Sequence, residues 1–228
     1  MTVTPTAPPT TEGHPPPVEL TPDAGAILLR LARGVVAATA SGRLRAADIS
    51  SLLPPDPPMI LFTPSAAFVT LHLGGALRGC VGSLADDVPL WETVVSAAVS
   101  AASRDPRFDP VTEHEVPSLS IDVSVLGPAV PLRDMSAFRP GIDGVIVERH
   151  GRRGLLLPEV ATERGWGVRK MLEMTCQKAG LAPDTWRAAG THVLIFRTAR
   201  VGDASHGDDD LPPGAPFVQV AQRGNDLA

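Results

Sequence analysis

Residues 67–84, Ala-Phe-Val-Thr-Leu-His-Leu-Gly-Gly-Ala-Leu-Arg-Gly-Cys-Val-Gly-Ser-Leu, constrain the fold more than any other stretch of the chain. Two strand-like runs flank Gly74-Gly75, and a Gly-Gly pair supplies the positive φ angles that a tight hairpin turn demands. The first run alternates Ala67, Val69, Leu71 and Leu73 against Phe68, Thr70 and His72, the pattern of a half-buried strand. In an extended second run, period two sets Arg78 and Cys80 on one face and Leu77 and Val81 on the other. Gly79 and Gly82 add no side chains beside the thiol, and glycine inside a strand points to a bulge or to close approach of another backbone.

That patch holds the first candidate site. A cation beside Cys80 favours its thiolate, which makes the residue a candidate nucleophile or redox-sensitive group, with Arg78 as its partner. The competing reading is that an unbridged cysteine is a small core residue. Gly79 and Gly82 are expected to leave this face open to a ligand. Cys176 differs, because it shares a helical stripe with Val168, Met171, Leu172 and Ala179 and belongs in the core. Cys80 is therefore expected to react with a thiol reagent before Cys176.

Arg78, Arg104 and Arg107 are candidates for an anion clamp, since guanidinium offers paired donors to phosphate or carboxylate. In that reading Arg78 lies beside Arg104 or Arg107, facing a cleft. Each arginine also has a structural reading, such as pairing of Arg107 with Asp105 or Asp109. Glu159, Glu163 and Asp143 are candidate acids or bases, although capping and surface roles are commoner for lone carboxylates. Trp166 lines either a pocket or the core. Arg152 and Arg153 read as the solvated tip of a second hairpin. The six histidines form no His-x3-His pair and there is no Cys-x2-Cys, so the sequence offers no metal motif and names no cofactor.

Taken in order, residues 1–20 are rich in Pro and Thr and are expected to be disordered. Thr21-Pro22 opens a helix with Ile27, Leu28, Leu31 and Val35 at helical spacing. Residues 86–89 open a second helix, and Thr112 with Glu115 forms a capping box. Leu119, Ile121, Val123 and Val125 mark a strand. Residues 145–157 form the second hairpin, Pro158-Glu159 starts a short helical turn, and residues 168–179 form a long helix closed by Gly180. A last strand covers 191–198, and the acidic tail 204–228 is expected to be disordered. Hairpins mixed with helices, without regular alternation, indicate α+β with a mainly antiparallel sheet.

With 20 Lys and Arg against 25 Asp and Glu, the net charge is −5, which argues against general nucleic-acid binding. No apolar run approaches the ~20 residues of a membrane span. Two distant cysteines and no secretory signal point to a reducing cytoplasm.

Leu77-Arg78-Gly79-Cys80-Val81-Gly82 resembles the Leu-Arg-Gly-Cys-Ile-Gly signature of the AMMECR domain family, whose bacterial and archaeal members go by AmmeMemoRadiSam system protein A. Asp105-Pro106-Arg107-Phe108, Gly141-Ile142-Asp143-Gly144, residues 156–161, Trp166 and residues 176–181 extend the resemblance, which runs from about residue 20 to about 203. It implies one α+β domain over 21–203 with a larger and a smaller lobe. The family's system name implies a Memo-like partner and a radical S-adenosylmethionine partner. An enzyme or enzyme component follows, acting on a small anionic or nucleotide-like substrate, with modification of a nucleobase or metabolite as the chemistry. Arg78 and Cys80 would then react, with Gly79, Gly82, Arg104, Arg107, Glu159 and Trp166 binding substrate. The alternative is a non-catalytic adaptor that presents a surface to those partners.

Overall fold

The computed structural model describes residues 14–45, 49, 51–203 and 218–219. Most of the two expected disordered ends lies outside the described residues. Within the described part, Val18 and Leu20 already pack against the core, so packing begins ahead of Thr21. In the tail, Val218–Gln219 forms a two-residue strand parallel to Val81 and Gly82.

The chain divides into two compact units. The larger comprises, among the described residues, those of 18–126 with 199–203 and 218–219. Its first helix, α1 (Pro22–Ala40), starts at an N-cap where Thr21 Oγ1 accepts the Ala24 N–H at 3.3 Å. That bond satisfies one of the donors a helix start leaves unpaired. The apolar stripe Ile27, Leu28, Leu31 and Val35 is buried as its spacing requires. Strands β1 (Ala67–Leu73) and β2 (Ala76–Ser83) form the central hairpin, with Gly74 and Gly75 at φ 58° and 84°. Helix α2 (Leu90–Ser103) follows, and then strand β3 (Leu119–Leu126). The five-stranded sheet runs β8-β3-β1-β2-β9, where β8 is Thr198–Gly202 and β9 is Val218–Gln219.

One face of this sheet offers Ala67, Val69, Leu71, Val81, Ile121 and Val123 to the stripes of α1 and α2, in one continuous core. The other face carries Phe68, Thr70, His72, Cys80, Ser120, Asp122 and Ser124. Alternation therefore holds through three central strands, but the second face is polar as well as buried.

The smaller unit covers, among the described residues, 14–17 and 127–198. Its sheet runs β4-β7-β5-β6, built from β4 (Val130–Pro131), β5 (Gly144–Arg149), β6 (Arg152–Leu156) and β7 (His192–Phe196). Helices α3 (Glu159–Arg164) and α4 (Val168–Lys178) supply Ala161, Met171 and Leu172 to a core with Val145, Leu156 and Ile195. Beyond α4, Gly180 takes φ 70° and Leu181 N–H returns to Cys176 O at 2.9 Å, closing the helix. The expected single last strand is two. Residues 192–196 pair with β4 and β5, whereas residues 198–202 join the larger sheet beside β3. The fold is α+β, as the mixture of hairpins and helices indicates, and its sheets are mainly antiparallel.

Leu71 is fully buried at the centre of the larger core. Truncating it removes apolar contacts on several sides and leaves a cavity. Leu71→Ala is expected to lower unfolding free energy by about 2–5 kcal/mol, read from the shift of a urea denaturation midpoint.

Candidate functional site

The site is built on β2. Leu71 pairs with Gly79 but His72 pairs with Leu77, so Arg78 is the extra residue of a β-bulge. The bulge turns Arg78 toward the loop after α2. There its Nε donates to Glu115 Oε1 at 2.8 Å and its Nη2 to Glu115 Oε2 at 3.2 Å, with further bonds to the Asp109 and Pro110 carbonyls. Glu115 also accepts the Thr112 N–H at 2.7 Å, so the capping box and the arginine share one carboxylate. The Arg78 guanidinium and the Thr112 N–H pull the Glu115 pKa down to about 2.

Two residues on, the backbone of Cys80 is gripped from the side. Its N–H donates to Asp105 Oδ2 at 2.8 Å, and its carbonyl accepts from Arg107 Nη2 at 3.2 Å. Asp105 and Arg107 are themselves joined by Nε to Oδ1 at 2.8 Å and Nη2 to Oδ2 at 2.6 Å. Burial disfavours the Asp105 charge, but the Arg107 guanidinium and the two backbone donors outweigh it and hold its pKa below the usual range. The hydrogen bond from Arg107 to Asp105 in turn raises the arginine's own pKa. One guanidinium nitrogen, Arg107 Nη1, is buried with no hydrogen-bond partner among the described residues.

Because both Cys80 backbone groups face Asp105 and Arg107, its cross-strand pair with Thr70 is of the wide, non-hydrogen-bonded kind, whose side chains stand close. Thr70 Oγ1 lies 3.2 Å from Cys80 Sγ. On its other side Thr70 pairs with Asp122, giving a row Cys80, Thr70, Asp122 across three strands. Asp122 bonds Arg200 at 3.0 Å and lies 3.4 Å from His72 Nδ1. Burial again disfavours the carboxylate charge, and His72 and Arg200 reverse the effect.

Several expected features take a different form. The three arginines do not form an unneutralised cluster. Arg78 and Arg107 each hold their own carboxylate, and Arg104 is exposed at the end of α2. Gly79 and Gly82 do not open the face beside Cys80, because neighbours occupy the space. A Cβ at Gly79 would stand 2.3 Å from the Ala101 carbonyl oxygen, and one at Gly82 would stand 2.3 Å from the Phe68 ring. Cys80 is unbridged but only 1% exposed.

Glu159 and Trp166 belong to the smaller unit, at the start of α3 and against its core, and Asp143 is fully buried there between Arg139 and Arg197. Cys176 is buried on α4, where desolvation raises its pKa. Thr70, His72 and Asp122 escaped the sequence reading as site residues. Their signal was present: polar side chains filling every second position of strands whose other face is apolar. Among the described residues no group of three His, Cys, Asp or Glu could hold a metal ion, and no helix is long and apolar enough to cross a membrane.

The two units define an α+β protein in which a bulged hairpin strand, held by an Asp-Pro-Arg loop, carries a buried thiol. A family model described as AMMECR1 matches residues 29–201, and the chain belongs to the AMMECR1 family. It is 41% identical over 184 residues to a protein of Methanothermobacter thermautotrophicus, covering 78% of this chain and 93% of that one. A protein of Methanocaldococcus jannaschii is 37% identical over 185 residues, covering 78% and 89%. The crystal structure of an uncharacterized protein from Pyrococcus horikoshii superposes with a TM-score of 0.71 at 35% identity, covering 79% of this chain and 92% of that one.

Two outcomes follow from these pairs. Arg107→Ala leaves the buried Asp105 carboxylate without its cation and Cys80 O without a donor. Breaking such a pair costs about 3–5 kcal/mol when fully buried, and partial exposure of Arg107 sets the expected loss near the lower end, read by urea denaturation. Glu115, with its lowered folded pKa, contributes stability that is present above the ordinary glutamate range and lost as pH falls toward 2. Glu115→Gln is therefore expected to flatten the acid limb of stability between about pH 4.5 and 2, measured by thermal melts across that window.

Proposed function

We propose that the protein is an enzyme or enzyme component whose reactive group is the Cys80 thiol. It acts on a small anionic or nucleotide-like substrate in concert with a Memo-like protein and a radical S-adenosylmethionine protein. The observation that carries this reading is the setting of Cys80. Its thiol is unbridged, touches the Thr70 hydroxyl, and has Arg107 anchored on its own carbonyl with one buried nitrogen unclaimed. A guanidinium so held offers a donor to an incoming anion beside a thiol, the pairing that nucleophilic chemistry on a charged substrate uses. Structural work already accounts for the Arg78 side chain, so its part is to position the strand that carries the thiol. Access to a thiol this buried requires local opening at the β2 edge, where the Asp105 and Arg107 side chains cover Cys80's backbone.

A second reading, the adaptor, draws on a separate observation. Met59 and Phe62 are 79% and 44% exposed on a short 3-10 turn that follows a stiff run of prolines. Exposed apolar side chains on a rigid turn suit a docking role.

Iodoacetamide labelling of the native protein near neutral pH separates the two, with the Cys80 and Cys176 peptides quantified by mass spectrometry. The enzyme reading expects Cys80 to be modified well before Cys176, and unfolding to erase the difference. Equal rates, or faster modification at Cys176, overturn it. The adaptor reading expects co-purification with the two partner proteins to survive Cys80→Ala and to fail in Met59→Glu/Phe62→Glu.

A further inference from the structure

Away from β2, at the tip of the β5–β6 hairpin, two arginines have no carboxylate partner among the described residues. Arg149 stands directly opposite Arg152 across the pair, and Glu148 stands opposite both Arg153 and His192. The two loop residues, His150 and Gly151, have φ 50° and 74°, the left-handed pair that a two-residue hairpin turn uses. His150 is the only non-glycine residue at positive φ among the described residues, at a turn position that glycine or asparagine fills more readily.

Like charges directly opposite one another destabilise a strand pair. Here neither guanidinium is neutralised by a carboxylate among the described residues. Arg149 Nη1 instead donates to Ala189 O at 2.9 Å and to Thr191 Oγ1 at 2.7 Å, and Arg152 Nη1 donates to Gly180 O. Neutral oxygens fix the direction of a guanidinium without cancelling its charge. The hairpin's own acid, Glu148, is taken by Arg153 at 2.6 Å. Three arginines against one glutamate leave two positive charges at this spot, in a chain whose net charge is −5. The hairpin tip, with Gly190 and His192, lines an open depression of about 370 Å³.

We propose that this depression binds a pyrophosphate group, either free or as part of a nucleotide. Arginine offers paired donors that match phosphate oxygens, and a diphosphate brings enough charge to bridge two guanidiniums held apart on neighbouring strands. The depression lies at the small end of the range for ligand sites and is open, which suits an anion gripped at its charged end. This site is independent of the Cys80 reading and lies in the other unit.

Isothermal titration of the full chain with sodium pyrophosphate tests it. Wild type is expected to bind, with affinity falling at least fivefold between 50 and 300 mM salt. Arg152→Gln is expected to weaken binding threefold or more, and Arg149→Gln/Arg152→Gln at least tenfold, while Cys80→Ala binds as wild type does. A parallel titration with ADP distinguishes the sources: tighter binding than pyrophosphate marks a nucleotide, equal binding marks the diphosphate alone. Thermal melts check folding. Should the double variant unfold through loss of the Arg149 links to Ala189 and Thr191, exposed Arg152→Gln alone decides. Absence of binding at millimolar pyrophosphate, or undiminished binding by Arg152→Gln, overturns the proposal.

Discussion

The grip of Asp105 and Arg107 on the backbone of Cys80 is the interaction on which the architecture of the larger unit depends. β2 is covered on one side by β1, and on the other, among the described residues, β9 pairs with Val81 and Gly82. At Cys80 the strand would present a buried N–H and C=O with no ladder partner, at a cost of about 1–3 kcal/mol for each group left unsatisfied. Two side chains from one short loop take the place of a neighbouring strand. Carboxylate meets N–H, guanidinium meets carbonyl, and the pair neutralises itself. An Asp-x-Arg spacing suits this because both groups must leave one tight turn toward the same residue. Asn at 105 would keep an acceptor for Cys80 but would lose the charge that holds Arg107.

The bulge at Arg78 belongs to the same construction. A regular strand would place the Arg78 side chain on the face that holds Cys80, among Thr70, His72 and Asp122. The extra residue diverts it to Glu115 and to the carbonyls of Asp109 and Pro110, so one loop is fastened to β2 at two points, two residues apart. Close packing then explains the glycines. The Ala101 carbonyl of α2 and the ring of Phe68 stand where side chains at 79 and 82 would be. The motif Leu-Arg-Gly-Cys-Val-Gly thus reads residue by residue as the requirements of a bulged strand pressed between a helix and a polar sheet face.

What the sequence made legible follows from how local each signal is. Turn glycines, the stripes of α1 and α4, and the alternation in β1 and β3 are set within a few residues, and the elements fall where those patterns place them. The partner of Arg78 is a non-local fact. Glu115 lies 37 residues away and already had a local role as the acid of a capping box, so nothing in its own neighbourhood announced a second one. The path after Phe196 is hidden for a similar reason. The expected last strand, 191–198, spans the point where the chain changes sheets: residues 192–196 pair in one sheet and residues 198–202 in the other. The glycines beside Cys80 carried a true signal of close approach, but composition alone does not say whether ligand or protein makes it.

Charge compensation separates the two arginine-rich regions more sharply than composition does. Around β2, Arg78 and Arg107 meet carboxylates whose pKa values are lowered in return, which marks pairs that stabilise the fold and are largely neutral to an approaching anion. At the β5–β6 tip, two arginines in direct register are oriented by carbonyl and hydroxyl oxygens. That arrangement gives up cross-strand stability without recovering it from an ion pair, in a part of the hairpin exposed enough for a neutral residue to serve equally well. Fixed direction without neutralisation costs a folded protein something and favours only a ligand that brings the missing charge. The same reasoning sets Arg107 Nη1 apart within its own pair: among the described residues it has no hydrogen-bond partner, and it is buried in the loop that holds the strand carrying the thiol.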